Sequence, residues 1–544
     1  MNKINFSQNS KKSMVSLLLL ISVIAIFFRF WQLESIPPGL WPDEAINANT
    51  AVSILEDNDL RVFYPDNNGR EGLYFHLVAI SFALFGISIT TFKLVGAIAG
   101  ALTVIGQYFL TKEVMILWGR FKKIKARNVR YISLLSSFFV ATSFWHINFS
   151  RIGFRAILMP LVLVFSFYFM LRGLRTKRYL DTIIAGAIFG LGFHTYISFR
   201  LMVAVLGLMF LMWLVLAIKQ GWTKRLLGLS LAYGLATIVT ALPIGIYFLQ
   251  NPNHFFVRAS GVSVFGQENI GAMAALLESG IKHLGMFNVV GDRNWRHNLG
   301  GAPQLQPIVS LFFLVGALVV GKSSIKTFFN LLRDRAKRTL DNYYGFITGA
   351  FLFAWFVVML LPGVLTYEGI PHALRVIGVI PIAYIFAGYG AYLALSKLFS
   401  LMEKRNMEKK FYPTVVAVLA VLVVATTFYS YFILWANHPQ LESSFTVRFM
   451  DVGYTLNELP EGSPKYVLKT EGDLPTEVPK FLQSAEGMDN TIYIDTSKTA
   501  DIEFESGSFV LTMHKDASFF DPILERYPES EIQEFERFYM LSIK

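Results

Sequence analysis

About ten residues after its first membrane-length apolar run, 14–30, the chain reads Leu40-Trp41-Pro42-Asp43-Glu44-Ala45-Ile46-Asn47-Ala48. Two adjacent acids are costly to place so close to a bilayer surface, because carboxylates favour water. Pro42 suits the first turn of a helix, and acids are stabilised at a helix N-terminus. The stretch therefore predicts an amphipathic helix from Asp43 to Leu55, outside the membrane, with acids of functional interest at its start.

The composition is that of a membrane protein. The 544 residues are 54% hydrophobic and 16% charged, whereas soluble domains carry roughly 25% charged residues. Apolar runs of about 20 residues recur along the first 435 positions, which is the signal for transmembrane helices. The chain has no cysteine, which excludes disulfides and thiolate metal sites.

The net charge of +11 is divided unevenly along the chain. Residues 437–544 carry 20 acids and 9 bases, and the remaining part has a net charge of +22. Its bases lie largely in short loops between apolar runs, as the positive-inside rule predicts, so no nucleic acid is needed to explain them. The five basic loops are Arg120–Arg130, Arg172–Arg178, Lys219–Arg225, Lys322–Arg338 and Lys397–Lys410.

Placing all five basic loops inside fixes the predicted topology. A first span at 14–30 has its N-terminus inside, with a signal peptide as the alternative. Ten further spans follow at 93–117, 131–148, 153–171, 183–198, 200–218, 226–248, 307–321, 343–362, 372–397 and 412–434. If the apolar run at 72–87 crossed the membrane, the basic loop Arg120–Arg130 would lie outside. The run is also at the short limit for crossing, so it predicts a juxtamembrane or partly inserted helix.

The sequence therefore predicts an α-helical polytopic membrane protein of about 11 transmembrane helices with a small C-terminal extracytoplasmic α/β domain. We expect a transmembrane domain at 1–436, with a first external loop at 31–71 and another at 249–306, and a soluble domain at 437–544. In the tail, 465–468, 491–494 and 508–512 read as strands, and 477–485 and 529–538 read as helices.

Asp43 and Glu44 are the candidate catalytic residues. Transfer of a sugar from a phosphate needs a carboxylate that takes the acceptor's proton, while cations stabilise the departing phosphate. The plainer interpretation is an acid pair that only stabilises the start of a helix. The residues leave open which of the two acids is the base, and a divalent ion bound to them is a further possibility.

Cationic and polar residues are predicted on the same face. Arg70, Arg151, Arg155 and Arg375 are the candidate ligands of a donor phosphate, although a single arginine at a helix end is more often a snorkelling anchor. The loop 249–306 is dense in hydrogen-bonding groups around an aromatic ring, which suits carbohydrate or phosphate but also suits ordinary packing. The candidate substrate-binding residues are Tyr74, His194, Tyr196, Arg200, Asp292, Asn294, Trp295, Arg296, His297 and His372.

The acid pair in the first external loop and the span pattern resemble the GT-C class of polyprenyl-phosphate-sugar glycosyltransferases. The resemblance covers 14–435 and is nearest to the protein O-mannosyltransferases and the lipid A aminoarabinose transferases. It implies that Asp43 is catalytic and that Arg70, which stands where the latter family has a Lys-Pro pair, contacts the donor phosphate. Those families carry a second acid in the next external loop, whereas 150–159 contains none. Glu44 or Asp292 then substitutes, or the acceptor site differs.

These observations predict an inverting glycosyltransferase of hexosyl or pentosyl groups in the cytoplasmic membrane of a bacterium or archaeon. Its expected partners are a polyprenyl-phosphate-linked sugar, the lipid bilayer, and an acceptor protein, lipid or glycan. No cofactor is certain, and a divalent metal ion is possible. The alternatives are a transporter or lipid flippase, a non-catalytic scaffold that displays the tail, and an oligosaccharide transferase that uses a lipid pyrophosphate.

Overall fold

The computed structural model describes residues 8–261, 263–266, 271–470, 472–488 and 490–544. Parts of the predicted segments 1–436, 249–306 and 437–544, namely 1–7, 262, 267–270, 471 and 489, lie outside the described residues. Up to residue 428 the helices are α1 Gln8–Phe30, α2 Pro42–Glu56, α3 Leu73–Phe85, α4 Ile89–Lys122, α5 Ala126–Ala141, α6 Phe144–Arg151, α7 Leu158–Thr176, α8 Tyr179–Gly192, α9 Met202–Lys219, α10 Thr223–Gln250, α11 Pro252–Gly261, α12 Ala272–Gly285, α13 Pro307–Arg333, α14 Leu340–Val364, α15 Ile380–Lys404 and α16 Tyr412–Phe428.

The helices confirm the predicted class, a polytopic α-helical membrane protein. Within the described residues nine helices are long and apolar enough to cross a membrane, and a tenth is added if α5 and α6, bent by 52°, form one broken span. The 14-residue α8 lies at the position of the remaining predicted span. The run at 72–87 forms the 13-residue α3, which is short for a crossing, as its length predicted.

The acid pair opens a helix, as the sequence predicted. Helix α2 has Trp41 at its N-cap and Pro42 at its first position, and it continues to Glu56, one residue beyond the predicted end. Its buried face is rich in alanine, with Ala45, Ala48 and Ala51 fully buried. Small side chains let α2 pack closely against α3, so the N-terminus of α2 is held firmly at one end of the helical domain.

A short hairpin and a broken helix face this N-terminus. Strands β1 (Phe63–Tyr64) and β2 (Arg70–Glu71) pair antiparallel and return the chain to α3. Helix α6 begins where the Ser143 hydroxyl accepts a hydrogen bond from the backbone N–H of His146, and it ends at Arg151. The segment that follows α6 lies beside α2, to which Gly153 is joined by hydrogen bonds.

The tail contains a mixed five-stranded sheet. After a π-helical turn at Tyr429–Trp435, it comprises α17 Gln440–Ser444, α18 Val447–Glu458, β3 Lys465–Lys469, α19 Glu477–Ala485, β4 Thr491–Asp495, β5 Phe509–Thr512, α20 Asp521–Leu524, β6 Glu531–Glu534 and β7 Tyr539–Ser542. The strand order is β4-β3-β5-β7-β6, with β3 parallel to β4 and β5 and the other pairs antiparallel. The three predicted strands and the helix at 477–485 are confirmed.

The helix predicted at 529–538 is wrong. Ile532, Phe535 and Phe538 recur every three residues, which imitates one face of a helix. The segment instead forms the exposed edge strand β6, which hydrogen-bonds to β7. Pairing with a neighbouring strand has overridden the local periodicity, and a pattern in one segment does not contain that information.

The tail packs directly on α2, which carries the acid pair, and on α3 and α4. The ring of Phe481 in α19 lies 6.1 Å from Phe82 and 6.0 Å from Phe92. The Asn49 amide of α2 donates to the Glu477 carbonyl at 2.9 Å. One buried apolar core therefore runs from the membrane helices into the tail, and the division at 436 stays a prediction.

Candidate active site

The two acids at the start of α2 lie in different surroundings. Glu44 is fully buried, and its carboxylate accepts hydrogen bonds from the backbone N–H of Gly153 at 2.9 Å and of Trp41 at 3.4 Å. Burial raises the pKa of Glu44 above its usual value. Asp43 is only half-buried. Glu44 therefore fastens α2 to the segment after α6, and Asp43 is the acid that a substrate can reach.

Two neutral donors orient the Asp43 carboxylate. Asn67 Nδ2 donates to Oδ1 at 2.7 Å, and Trp41 Nε1 donates to Oδ2 at 3.2 Å. The Arg296 guanidinium stacks on the Trp41 ring at 3.8 Å from its centre. Burial lowers the pKa of Arg296, and the negative charges of Asp43 and Glu44 oppose that shift. The arrangement presents one carboxylate at a helix N-terminus with a cation beside it.

Arg70 lies close behind the acid pair. Its side chain is buried, and Nη1 donates to the Asn47 side-chain oxygen at 3.1 Å while Nη2 pairs with Asp66. The same Asn47 donates to the Gly153 carbonyl at 3.0 Å, which joins β2, α2 and the segment after α6. Burial lowers the pKa of Arg70. Its Nε is buried without a hydrogen-bond partner among the described residues.

Glu71 is a member of the site that sequence reasoning missed. Its Oε2 accepts from Arg155 Nε at 2.9 Å, and its Oε1 lies 3.7 Å from Arg200 Nη2. The Tyr196 ring lies 5.6 Å from the Arg155 guanidinium. His194 is buried nearby and its Nε2 contacts the Thr240 carbonyl at 3.0 Å. The Glu71 carboxylate thus lies against two arginines that are 45 residues apart in the sequence.

Arg151 has a different position from the one expected of a phosphate ligand. It is fully buried, and its guanidinium donates to the carbonyls of Phe28 at 3.0 Å, Gln32 at 2.8 Å and Ile36 at 3.0 Å. It therefore ties the end of α1 and the following loop to α6. A role in phosphate binding stays a prediction, and it requires these carbonyl bonds to break.

The loop around Asp292 is organised by that carboxylate. Asp292 accepts from the backbone N–H of Asn294 at 2.8 Å, from that of Ala373 at 2.7 Å, and from His297 Nδ1 at 3.0 Å. Burial alone would raise the pKa of Asp292, but the neighbouring His297 holds it below its usual value. Trp295 stacks on His438, 3.9 Å between ring centres. The predicted recognition loop is therefore folded on itself and against the segment after α14.

Asp292, His297 and His372 could together hold a metal ion. One ligand atom from each lies within 4.8 Å of the others. Within the part of the chain that the structure describes, His372 Nδ1 is buried without a hydrogen-bond partner, 3.9 Å from Asp292 Oδ2. Zinc bound tetrahedrally needs ligand atoms about 3.4 Å apart, and a carboxylate with two imidazoles suits it. The types of ligand suit zinc, and the ligand atoms would move closer together to bind it. Within the described part of the chain neither Asp43 nor Glu44 belongs to such a group.

Two predicted ligands have partners outside the proposed chemistry or none. Arg375 donates to the Glu368 carbonyl at 2.8 Å and pairs with its carboxylate at 3.3 Å. Tyr74 is fully buried in α3 near Glu44, and its hydroxyl has no hydrogen-bond partner among the described residues. For neither residue do the contacts indicate a substrate-binding function, which stays a prediction. The structure thus brings Asp43, Glu44, Arg70 and Arg296 together, and it places Arg155 and Arg200 around Glu71.

Asn47, Asn67 and Glu71 were the residues missed. Asn67 and Glu71 flank Arg70 in the hairpin, so a signal existed in the density of polar residues at 66–71 where the chain returns to the membrane. Asn47 stands one helical turn after Asp43 on the same side of α2, which the period of a helix could have indicated.

Comparison with known proteins rests on structure. No protein-family model matches the chain, and no curated protein matches its sequence. ArnT from Cupriavidus metallidurans bound to undecaprenyl phosphate superposes with a TM-score of 0.53 at 13% identity, over 98% of both chains. The archaeal oligosaccharyltransferase AglB from Archaeoglobus fulgidus, in complex with an inhibitory peptide and a dolichol-phosphate, gives 0.53 at 14% identity, over 96% of this chain and 73% of that one.

The chain has the GT-C fold. The oligosaccharyltransferase of Archaeoglobus fulgidus in its apo form gives a TM-score of 0.48 at 12% identity, and the chain spans 64% of its length. Because all three identities are low, the likeness is one of fold. In this chain the loop that carries Asp43 directly follows the first membrane helix.

Proposed function

We propose that this GT-C protein is an inverting glycosyltransferase that moves a sugar from a polyprenyl phosphate to an acceptor hydroxyl at the outer face of the membrane. One observation carries the proposal. Asp43 is a half-buried carboxylate at the N-terminus of α2, held by Trp41 and Asn67 with the Arg296 cation beside it. The solved relatives hold undecaprenyl phosphate or dolichol-phosphate, which supports a lipid-phosphate donor.

The reaction is a single displacement. Asp43 accepts the proton of the acceptor hydroxyl, whose oxygen attacks the anomeric carbon of the sugar. As the new carbon–oxygen bond forms, the bond from that carbon to the phosphate oxygen breaks, and its electron pair leaves with the polyprenyl phosphate. The configuration at the anomeric carbon is inverted because attack and departure occur on opposite faces. General-base assistance of this kind contributes about a hundredfold to ten-thousandfold.

The environment of Glu44 also favours a single displacement. A retaining transfer needs a second carboxylate that forms a covalent bond to the sugar. Glu44 is the adjacent acid, but it is fully buried and accepts two backbone hydrogen bonds. It therefore serves to fix the geometry of Asp43 rather than to attack the sugar.

Buried cations are available for the departing phosphate. Among the described residues Arg70 keeps one donor nitrogen without a partner, and Arg155 and Arg200 both lie against the Glu71 carboxylate. In a site with little water, positive charges aimed at the leaving oxygen stabilise the transition state far more than they would in solution. These three arginines are therefore the phosphate ligands in our proposal, with Arg375 and Arg151 secondary.

The proposal also covers the substrates and the location of the protein. The sugar is a hexose or pentose, and the acceptor is a protein, a lipid or a glycan. The chain lies in the cytoplasmic membrane of a bacterium or archaeon, with its C-terminus outside. Zinc at Asp292, His297 and His372 would hold the loop beside Arg296 in place, and no step of the reaction passes through it. The alternative within the same fold is an oligosaccharide transferase that uses a lipid pyrophosphate donor.

Sugar transfer in lipid nanodiscs tests the proposal. The purified chain is given a panel of radiolabelled polyprenyl-phosphate sugars with total membrane extract as acceptor, and the native protein is compared with Asp43→Asn. Asp57→Asn is the matched control, since Asp57 is an exposed acid at the other end of α2. We expect transfer by the native chain and the control, and loss of about a hundredfold or more in Asp43→Asn with donor binding retained.

Three outcomes would count against the proposal. Undiminished transfer by Asp43→Asn removes Asp43 as the base. Movement of the labelled lipid between leaflets without any transfer, equal in both variants, points to a flippase. Binding of a partner protein to the tail without either activity points to a scaffold.

A further inference from the structure

Helix α12, in the loop between α10 and α13, exposes an apolar stripe that has no part in the proposed chemistry. The stripe consists of four side chains, each more than half exposed, namely Met273 at 71%, Leu277 at 61%, Ile281 at 72% and Leu284 at 59%. Their spacing of three or four residues places them on one face of the helix. A contiguous apolar face of this kind indicates a contact surface.

The rest of α12 divides into two further faces. Ser279 and His283 are buried, and His283 Nε2 accepts a hydrogen bond from the backbone N–H of His372 at 3.2 Å, which fastens this face to the segment after α14. Glu278 and Lys282 form an exposed ion pair at 2.5 Å. At 3.6 residues per turn, the pair is centred about 120° from the apolar stripe. Helix α12 therefore has one face against the protein, one suited to water, and an apolar face that the described residues leave open.

The aromatic residue after α12 shows how deep the helix lies. The Phe287 ring is 5.3 Å from that of Phe313 in α13 and 5.5 Å from that of Phe356 in α14. At 1.5 Å per residue, these two partners lie about 9 Å and about 12 Å in from the nearer ends of their membrane helices. Beside Phe313, Leu311 is 63% and Leu314 is 40% exposed, as side chains that face lipid would be. The end of α12 is therefore at the level of the bilayer boundary.

We propose that α12 lies in the plane of the membrane, with its apolar stripe among the acyl chains of the leaflet on the side of Asp43 and with Glu278 and Lys282 among the headgroups. Interfacial helices bury their apolar face by about 5–10 Å, which agrees with the level of Phe287. The loop around Asp292 follows α12 directly, so the lipid contact helps to hold that loop at the site. The inference does not depend on the proposed transferase activity.

Spin labelling of the full chain in lipid nanodiscs tests this. The chain has no cysteine, so one introduced cysteine carries the only nitroxide. Leu277→Cys and Ile281→Cys place the label in the apolar stripe, and Glu278→Cys is the matched control, since Glu278 is an exposed neighbour on the charged face. Collisions with oxygen, which concentrates in the bilayer, and with a water-soluble nickel chelate report the depth of each label. The nanodiscs contain phosphatidylethanolamine and phosphatidylglycerol but no polyprenyl phosphate.

We expect the labels of Leu277→Cys and Ile281→Cys to lie about 5–10 Å below the headgroups, and the label of Glu278→Cys to be reached freely by the chelate. Equal access of the chelate to all three labels would overturn the proposal. Oxygen access at Leu277→Cys that arises only when undecaprenyl phosphate is added would also overturn it, and would assign the stripe to a donor lipid. Spin–spin broadening that disappears on dilution with unlabelled chain would overturn it in favour of a second copy of the chain.

Discussion

The Glu71 carboxylate accepts a hydrogen bond from Arg155 Nε at 2.9 Å, and both side chains are more than nine-tenths buried. The same carboxylate lies 3.7 Å from Arg200. Removal of one partner from a buried pair leaves an uncompensated charge, which typically costs 3–5 kcal/mol. The hairpin that carries Arg70 is therefore anchored through an ion pair, and the arginines proposed to bind phosphate are held in place before any donor arrives.

Glu71→Gln should lower the free energy of unfolding by about 3 kcal/mol, because two arginines lose their shared counter-charge. The measurement is the apparent melting temperature in detergent. The control is Asp341→Asn, which breaks the exposed pair with Lys123 and should cost less than about 1 kcal/mol. Equal melting temperatures for the two variants would show that the buried pair contributes nothing beyond an exposed one.

Substitution of Arg70 should weaken lipid binding, whereas substitution of Arg151 should lower stability. Arg70→Met removes a buried guanidinium whose Nε has no hydrogen-bond partner among the described residues. We therefore expect the affinity for undecaprenyl phosphate to fall about tenfold or more. Arg151→Met removes the guanidinium that donates to three backbone carbonyls, so its main effect should be a lower melting temperature. Titration with the lipid and thermal unfolding measure the two effects, and the reverse pattern would exchange the two roles.

Sequence patterns predicted the elements better than the contacts between them. The spans and α2 followed from runs of apolar residues and from Pro42 with its acids, which are local features. Arg151 and Arg155 looked alike, since each is an arginine near a helix end. What distinguishes them is the distant partner that each meets, carbonyls after α1 for one and Glu71 for the other. Such long-range pairings are absent from any local pattern, as with the strand β6.

Zinc content tests the Asp292 cluster. We expect the chain purified without chelator to hold roughly one zinc ion, with the melting temperature lowered by chelation, because the ion joins the loop around Asp292 to the segment after α14. His297→Ala and His372→Ala should each lose the metal. His438→Ala is the matched control, since His438 stacks on Trp295 in the same region but is not among the candidate ligands. Equal zinc content in all variants would show that His297 and His372 do not bind zinc.

The buried Glu44 should make stability depend on pH. Folding raises its pKa through burial, so the folded state holds its proton more tightly than the unfolded state does. Its contribution is then fully present below the usual pKa of a glutamate and is lost as the pH rises through the raised value. Glu44→Gln should abolish this part of the pH dependence, as measured by melting temperature between pH 4 and 9. The same slope in both proteins would contradict a raised pKa.

Asn67 should act on catalysis through Asp43. Its amide donates to the Asp43 carboxylate at 2.7 Å from a backbone position with φ of 47°, which glycine adopts without strain. Asn67→Gly therefore removes the amide and keeps the turn. Once a donor sugar is identified, we expect kcat to fall about tenfold or more with little change in KM for the donor, since a misplaced base slows the chemical step. Asn68→Gly is the control, because Asn68 has φ of 63° and no hydrogen bond to Asp43. If the two variants lose activity equally, the turn itself and not the amide controls the reaction.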